Sequence, residues 1–428
     1  MDIRSLAGKS VCILGYGREG RATAEALEKY AKGCKITIAD KNSELRITNY
    51  ELRKGEEYLD TLDEFDVIIK SPGIPPNAKL KAQSSRLTSP TQIFLDSIAS
   101  SGATVIGVTG SKGKSTTASL IHHILASFGK KSFLVGNIGE PAISHIADAG
   151  LNTFFVHEMS SYQLMDLTSS PQIAVITSFF PEHLDYHGSL ENYLEAKKHI
   201  TRFQTEDDVV FFNSDSEDAK EIAEESKGKK IAFNMKDSPV TLKEIQLKGE
   251  HNLGNIAAAF SVAMHLGIDR KAAIEAIKTF AGLPHRLESL GIHHGIEWVN
   301  DSISTTPQSA IAALDALGDR VGTLILGGQD RGYDFIPLIE RLKTSSVKTV
   351  ILMPDSGTTI RAKLKEANAK LELIDAKTME EAVLAAKKQT KGSAPIVLLS
   401  PAAPSYGHFK NFEDRGEQFK KYINLLQP

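Results

Sequence analysis

One stretch, Ala103 to Phe128 (ATVIGVTGSKGKSTTASLIHHILASF), constrains this chain more than any other. Ala103 to Val108 is an apolar, β-branched run of the kind that makes a buried parallel strand, and it feeds straight into Thr-Gly-Ser-Lys-Gly-Lys-Ser-Thr. Ala118, Ile121, Leu125 and Phe128 then recur at helical spacing, and Gly129 stands where a C-terminal cap belongs. Strand, glycine-rich turn and helix N-terminus together make an anion site, because free backbone N–H groups and the helix dipole both face the ligand. In such a loop Lys114 reaches the terminal phosphates of a nucleotide, and Ser115 or Thr116 holds Mg²⁺. Gly107 lies one place too early for the usual phosphate-loop spacing, so Gly110 must make the turn. The competing reading, a Gly/Lys-rich surface turn, is outweighed by strand, loop and helix taken together.

The 428 residues suffice for two or three domains with separate cores. Fifty Lys and Arg against 53 Asp and Glu leave a net charge of −3, which gives no basic surface for a polyanion and argues against nucleic acid as a partner. The two cysteines, Cys12 and Cys34, cannot make a disulfide framework and suit a reducing cytoplasm. MDIRSLAGKS leads directly into a strand with no visible signal sequence, and no apolar run approaches the roughly 20 residues that span a bilayer. The expectation is a soluble, cytoplasmic protein without membrane insertion.

Ahead of the phosphate loop, Lys9 to Asp40 reads as strand, GYGREG turn, helix and strand. Gly15, Gly17 and Gly20 match the dinucleotide fingerprint and Asp40 ends the second strand where a ribose-binding acid would lie. Alone this says NAD-dependent oxidoreductase, although any close helix–strand contact beside a phosphate needs the same glycines. Phe65 to Lys70 is a further strand, ending in the rigid Ser71-Pro72-Gly73-Ile74-Pro75 loop.

Beyond the loop, polar residues gather at strand ends. Asn152 to Glu158 closes on an acid that either holds a nucleotide-bridging metal or caps the next helix. His183, Asp185 and His187 cluster in a segment that reads as a solvated turn, Lys197 sits on an amphipathic helix where a lysine is normally a surface residue, and Asn252 and Asn255 share one helix face. After Gly282, strands at 295–299, 322–326, 347–353, 371–374 and 396–399 alternate with helical stretches, which predicts a parallel, doubly wound sheet.

Taken in order, the glycine turn, SPGI, TGSKGKST, GNIG, EMSSYQL, HLDYH, YLEAK, GEHNLGN, LPHRLE, NDS, GGQDRG and LSPAAPSYGHFKNFEDRG resemble the Mur ligase family over essentially the whole chain. Within it the match is to the branch that adds D-glutamate to UDP-N-acetylmuramoyl-L-alanine. Folylpolyglutamate synthases share the central logic but are not expected to begin with GYGREG.

The resemblance implies three α/β domains: a Rossmann-like domain at 1–97 holding the UDP end of a sugar nucleotide, a P-loop ATPase-like domain at 98–282, and a Rossmann-like doubly wound domain at 283–428 for ATP and the incoming amino acid. It assigns Gly15, Tyr16, Gly17, Asp40, Ser71, Pro72 and Gly73 to the UDP-sugar, with Asn137 and Ser160 near the muramoyl-alanine carboxylate. ATP falls to Gly110, Ser111, Lys112, Gly113, Lys114, Ser115 and Thr116, joined by Asn252, Asn255, Arg286 and Asp301. Ser115 and Glu158 would serve one Mg²⁺ and His183 a second, helped by Lys197 once CO₂ has turned it into a carbamate. Lys114, Glu158, His183 and Lys197 are therefore the expected catalytic set, and Thr305, Arg331, Ser405 and Phe412 the amino-acid contacts. Substrates would be UDP-N-acetylmuramoyl-L-alanine and glutamate, and the enzyme a monomer.

Two departures surround the glutamate pocket. Where the family has Lys-Ala-Thr-Asn after NDS, this chain has Ile303-Ser304-Thr305-Thr306-Pro307, so a cation is missing. Where the family often has lysine in GGxDKG, Arg331 stands instead and can clamp a carboxylate bidentately. They leave the ATP chemistry untouched and make L-glutamate the alternative amino acid.

Overall fold

The computed structural model describes residues 1–247, 249–390 and 395–426, and among these seventeen strands form three sheets. Met1–Ile245 and Glu250–Phe280 form one compact unit, and Gln246–Gly249 with Ala281–Pro428 form another. The first unit carries two parallel sheets.

In the first sheet, β1 (Ser10–Leu14), β2 (Lys35–Asp40), β3 (Glu51–Lys54), β4 (Val67–Lys70) and β5 (Leu87–Thr88) lie in the order β3-β2-β1-β4-β5. Central β1 is apolar along Val11 to Leu14 because both of its faces are covered. The strand order reverses between β1 and β4, so the glycine turn after one and the Ser71–Pro75 loop after the other share the crevice where such sheets bind ligands.

The second sheet contains β6 (Thr104–Thr109), β7 (Lys131–Gly136), β8 (Thr153–Glu158), β9 (Ile173–Ile176), β10 (Val209–Asn213) and β11 (Lys229–Phe233), in the order β11-β10-β9-β6-β8-β7. The helix after β6, Lys114–Ser127, ends as its sequence predicts: Gly129 takes φ +71°, its N–H bonds to the Ala126 carbonyl and that of Lys130 to the Leu125 carbonyl. One apolar core runs through both sheets, with Phe94 of the Pro90–Ile98 helix meeting Phe155 of β8 edge-on at 5.2 Å.

The second unit holds β12 (Glu288–His293), β13 (Ile296–Asn300), β14 (Val321–Gly327), β15 (Thr349–Met353), β16 (Glu372–Asp375) and β17 (Ile396–Leu399), ordered β12-β13-β17-β14-β15-β16. Apolar clusters cover both of its faces. Here strict parallel alternation fails, because β12 pairs antiparallel with β13. The two chains turn through His294 and Gly295, both at positive φ (+55° and +77°), the backbone a tight two-residue hairpin needs. Among the described residues no helix is long and apolar enough to cross a membrane.

Candidate active site

Three strand ends converge in the first unit. Val108 of β6 lies opposite Glu158 of β8, and Thr109 opposite Ile176 of β9, so the phosphate loop, Glu158 and the 177–188 segment leave the sheet side by side. Gly110 makes the turn at φ +148°, where a Cβ would come within 2.1 Å of the Thr177 hydroxyl oxygen. Gly113, at φ +86°, lets Asn255 in: a Cβ there would lie 2.3 Å from Asn255 Oδ1. Asn255 in turn accepts from the Thr117 hydroxyl at 3.3 Å and donates to Asn252 Oδ1 at 2.8 Å. Both asparagines thus sit against the opening of the phosphate-loop helix.

Lys114 Nζ donates to the carbonyls of Gly110 and Ser111, both at 2.8 Å. Lys197 donates to the same Gly110 oxygen at 2.9 Å. Although its helix position reads as surface, Lys197 is only 1 % exposed, and its Nζ lies 4.7 Å from the centre of the Tyr193 ring. Burial first, and then the Lys114 charge, hold its pKa well below the ordinary lysine value, favouring the neutral amine.

Ser111 shapes the loop from within: its hydroxyl donates to the Phe180 carbonyl at 2.9 Å, accepts from the Phe180 N–H at 2.8 Å and lies 3.0 Å from the Tyr193 hydroxyl. Lys112 ties the loop to the segment entering His183, its Nζ 2.5 Å from the Glu182 carboxylate. Thr116 is buried in the first turn of the helix, beside Ser115.

Glu158 is 1 % exposed; Oε1 accepts from the Asn137 side-chain amide at 3.0 Å, while Oε2 has no hydrogen-bond partner among the described residues. A buried carboxylate oxygen left bare in this way fits a hard cation. The His183, Asp185, His187 cluster divides. His187 is buried, lies 2.9 Å from the Ser161 hydroxyl and stacks on Tyr162, and burial pushes its pKa to about 4. His183, exposed to solvent, takes φ +58° beside the rings of Tyr162 and Tyr193, and partial desolvation by these neighbours lowers its pKa from the ordinary histidine value. Among the described residues no group of three or more His, Cys, Asp and Glu side chains converges on a metal site. The side chains expected at the metals are the Glu158 carboxylate, the Ser115 hydroxyl, the His183 imidazole and Lys197, so few protein donors that they suit Mg²⁺ drawing its remaining ligands from phosphates and water.

At the first sheet, the Ser71 hydroxyl donates to the Gly15 carbonyl at 2.9 Å, and a Cβ on Gly20 would lie 2.0 Å from that oxygen, so the close approach needs glycine at 20. Asp40, at the end of β2, faces the same turn. Its two oxygens accept the N–H groups of Tyr16 (2.7 Å) and Asn42 (2.8 Å), so in this structure it braces the glycine turn. Ser160 caps the Ser161–Leu164 helix through Gln163. Four residues to which the sequence assigned no role knit these pieces together. The Tyr186 hydroxyl lies 2.8 Å from the Pro72 carbonyl oxygen, Lys70 pairs with Asp166 at 2.7 Å, and Arg18 reaches the 136–139 loop.

In the second unit, three strand-end loops meet over one buried guanidinium. Arg415, fully buried, donates to the Ser302 hydroxyl (3.0 Å), the Ser302 carbonyl (2.8 Å) and the Ala403 carbonyl (3.0 Å). The same loops are laced by backbone bonds from Ala402 to Ser304 and from Gln329 to Pro404. Around this frame stand Ser405, buried; Phe412, whose carbonyl accepts from Ser302; the half-buried Thr305; and the exposed Arg331, 5.9 Å from the Tyr406 ring centre.

Asp301 is buried beneath them, accepting from the Ser400 hydroxyl at 2.7 Å and the Leu287 N–H at 3.1 Å. Burial pushes its pKa up to about 6 from the ordinary 3.8, opposed in part by the hydrogen bonds it accepts and least by the Arg286 charge. Because the folded-state value lies above the unfolded one, the ionised carboxylate disfavours folding above that range, and the cost disappears as pH falls from about 6 to about 4. Asp301→Asn should therefore gain roughly 1–3 kcal/mol in denaturant unfolding at about pH 7.5 and almost nothing near pH 4. Equal effects at both pH values would contradict the burial cost.

Comparison with known proteins is consistent across the chain. Residues 108–246 match the Mur ligase middle domain, and residues 285–403 match the Mur ligase, glutamate ligase domain. A UDP-N-acetylmuramoyl-L-alanine–L-glutamate ligase of Salinispora tropica is 35% identical over 99% of this chain and 99% of its own. A UDP-N-acetylmuramoylalanine–D-glutamate ligase of Clostridium kluyveri is also 35% identical, over 97% of this chain and 96% of its own. Among solved structures, the MurF ligase of Thermotoga maritima in complex with ADP shares the fold at a TM-score of 0.59 and 17% identity, covering 99% of this chain and 97% of its own.

Proposed function

This chain belongs to the Mur ligase family, and from that premise we propose that it joins D-glutamate to UDP-N-acetylmuramoyl-L-alanine, forming ADP and phosphate by way of an acyl phosphate. It is an ATP-dependent ligase of peptidoglycan precursor synthesis. The observation that carries the mechanistic reading is the meeting of Lys114 and Lys197 on the Gly110 carbonyl, beside a buried carboxylate with one oxygen bare. In this reading 1–97, 98–282 and 283–428 act as sugar-nucleotide, ATP and amino-acid domains, in a cytoplasmic monomer. The hydride-transfer alternative has no support in the relatives above and leaves the phosphate loop without a purpose.

A carboxylate is a poor acceptor for an amine, so the alanine carboxylate of the substrate first attacks the γ-phosphorus of ATP and ADP leaves. Lys114 swings from the loop carbonyls to the phosphates and offsets the repulsion between two anions. The Lys197 amine adds to CO₂ with release of one proton, and the resulting carbamate replaces a cation by an anion. Ser115 and Glu158 would hold one Mg²⁺, and His183 with that carbamate a second, and these ions would supply neutralisation of phosphate charge. Arg331 and Ser405, with Thr305 and Phe412, orient glutamate so that its amine attacks the acyl carbonyl; a tetrahedral intermediate forms and phosphate departs. Gly15, Tyr16, Gly17, Asp40 and the Ser71–Gly73 loop receive the UDP portion, and Asn137 and Ser160 lie toward the reacting carboxylate.

A second reading, with L-glutamate as the amino acid, is favoured by Ile303 in place of the family's lysine and by the Salinispora relative. The acyl phosphate is tested by ¹⁸O in the substrate carboxylate: one labelled oxygen is expected in the released phosphate. Unlabelled phosphate formed at the rate of product would exclude it.

A further inference from the structure

Arg18 lies inside the GYGREG turn, where sequence position alone would give it to the sugar nucleotide. Its guanidinium is engaged elsewhere. It donates to the carbonyls of Gly136 (2.7 Å), Asn137 (3.1 Å) and Gly139 (3.1 Å), three acceptors at the end of β7 and in the short loop that follows it. That loop is seated on the end of β8: the Asn137 N–H bonds to the Glu158 carbonyl at 3.0 Å, and a Cβ on Gly136 would lie 2.4 Å from the same carbonyl oxygen. The Asn137 side chain then holds Oε1 of Glu158, which leaves the buried Oε2 without a hydrogen-bond partner among the described residues. A planar fork spanning three carbonyls fixes a loop in a way that a point charge on a flexible stem does not.

We propose that Arg18 is a positioning residue for Glu158: through the 136–139 loop and the Asn137 amide it sets which carboxylate oxygen is presented to the metal. The proposal rests on the reading of Glu158 as a metal ligand. It gives the first sheet's glycine turn a second task, that of holding the metal-binding end of the second sheet in register. A carboxylate fixed by one oxygen has one direction left for a cation, whereas a released one can turn both oxygens to water.

The test is Mn²⁺ binding, followed by electron paramagnetic resonance in the presence of a non-hydrolysable ATP analogue, alongside calorimetric UDP binding. Arg18→Ala is expected to weaken Mn²⁺ binding by about 10-fold or more, the effect typical of residues that orient metal ligands, while UDP affinity stays within about 3-fold. Asn137→Ala should show a similar loss, and the double variant no more than the larger single one, because both act through one chain of contacts. Arg18→Lys, which cannot bridge three carbonyls, should bind Mn²⁺ between wild type and alanine. Unchanged Mn²⁺ affinity with weakened UDP binding would overturn the proposal and make Arg18 a diphosphate contact, as would losses that simply add in the double variant. If Glu158→Gln binds Mn²⁺ as wild type does, the reading of Glu158 fails first and the positioning role falls with it.

Discussion

Replacing Lys197 by alanine is expected to lower turnover by about 10³-fold or more, the scale on which removal of a preorganised charge acts at a reacting phosphoryl group. The side chain is fully buried in the first unit, and it sits on the carbonyl that also anchors Lys114. If it worked as a cation, its burial next to Lys114 would oppose its charge at every step. As a carbamate it becomes an anion facing cations, and burial then protects it from exchange with water. Lys197→Met, which keeps volume without nitrogen, should be as inactive as alanine while melting close to wild type. Added acetate or formate should restore a measurable fraction of the phosphate-release rate to the alanine variant without any need for bicarbonate. Near-normal rates in either variant would remove the carbamate from the mechanism.

The second large effect belongs to Lys114. Lys114→Ala should reduce ATP-dependent phosphate release by about 10²–10³-fold, since in the proposed mechanism this amine, held by the loop carbonyls in the present structure, meets the transferring phosphoryl group. UDP affinity should remain within about 3-fold, because the glycine turn and the Ser71–Pro75 loop are built on the first sheet from other residues. Calorimetry with UDP and a phosphate-release assay on the same preparation separate the two. Loss of both together would mean that nucleotide and sugar-nucleotide sites are not carried by separate sheets.

The phosphate loop was legible because its fold and its chemistry demand the same local residues: a glycine at φ +148°, a strand before it and a capped helix after it. Lys197 was not legible from its own segment. The YLEAK stretch is an ordinary amphipathic helix, and what buries the lysine is contact with Tyr193 and with Gly110, residues brought there by tertiary packing. Arg415 is the same case in the second unit: FEDRG reads as a charged helix start, while the acceptors of its guanidinium lie at positions 302 and 403. The missed strands β3 and β12 are edges with charged or partly exposed residues, so neither shows the apolar run of a covered strand. Asp40 shows two tasks sharing one place in the chain: the carboxylate that braces the glycine turn stands at the strand end where a ribose-binding acid is expected.

The measurement that bears most directly on the central claim is phosphate release from ATP with UDP-N-acetylmuramoyl-L-alanine, run in parallel with D-glutamate and L-glutamate and with the product mass recorded. Turnover with D-glutamate, and a product heavier by one glutamyl residue, is the expected result; Arg331, Ser405 and Phe412 then suffice for the pocket despite Ile303. Turnover with L-glutamate alone would contradict the stereochemistry proposed here, and absence of phosphate release with both would contradict the substrate itself.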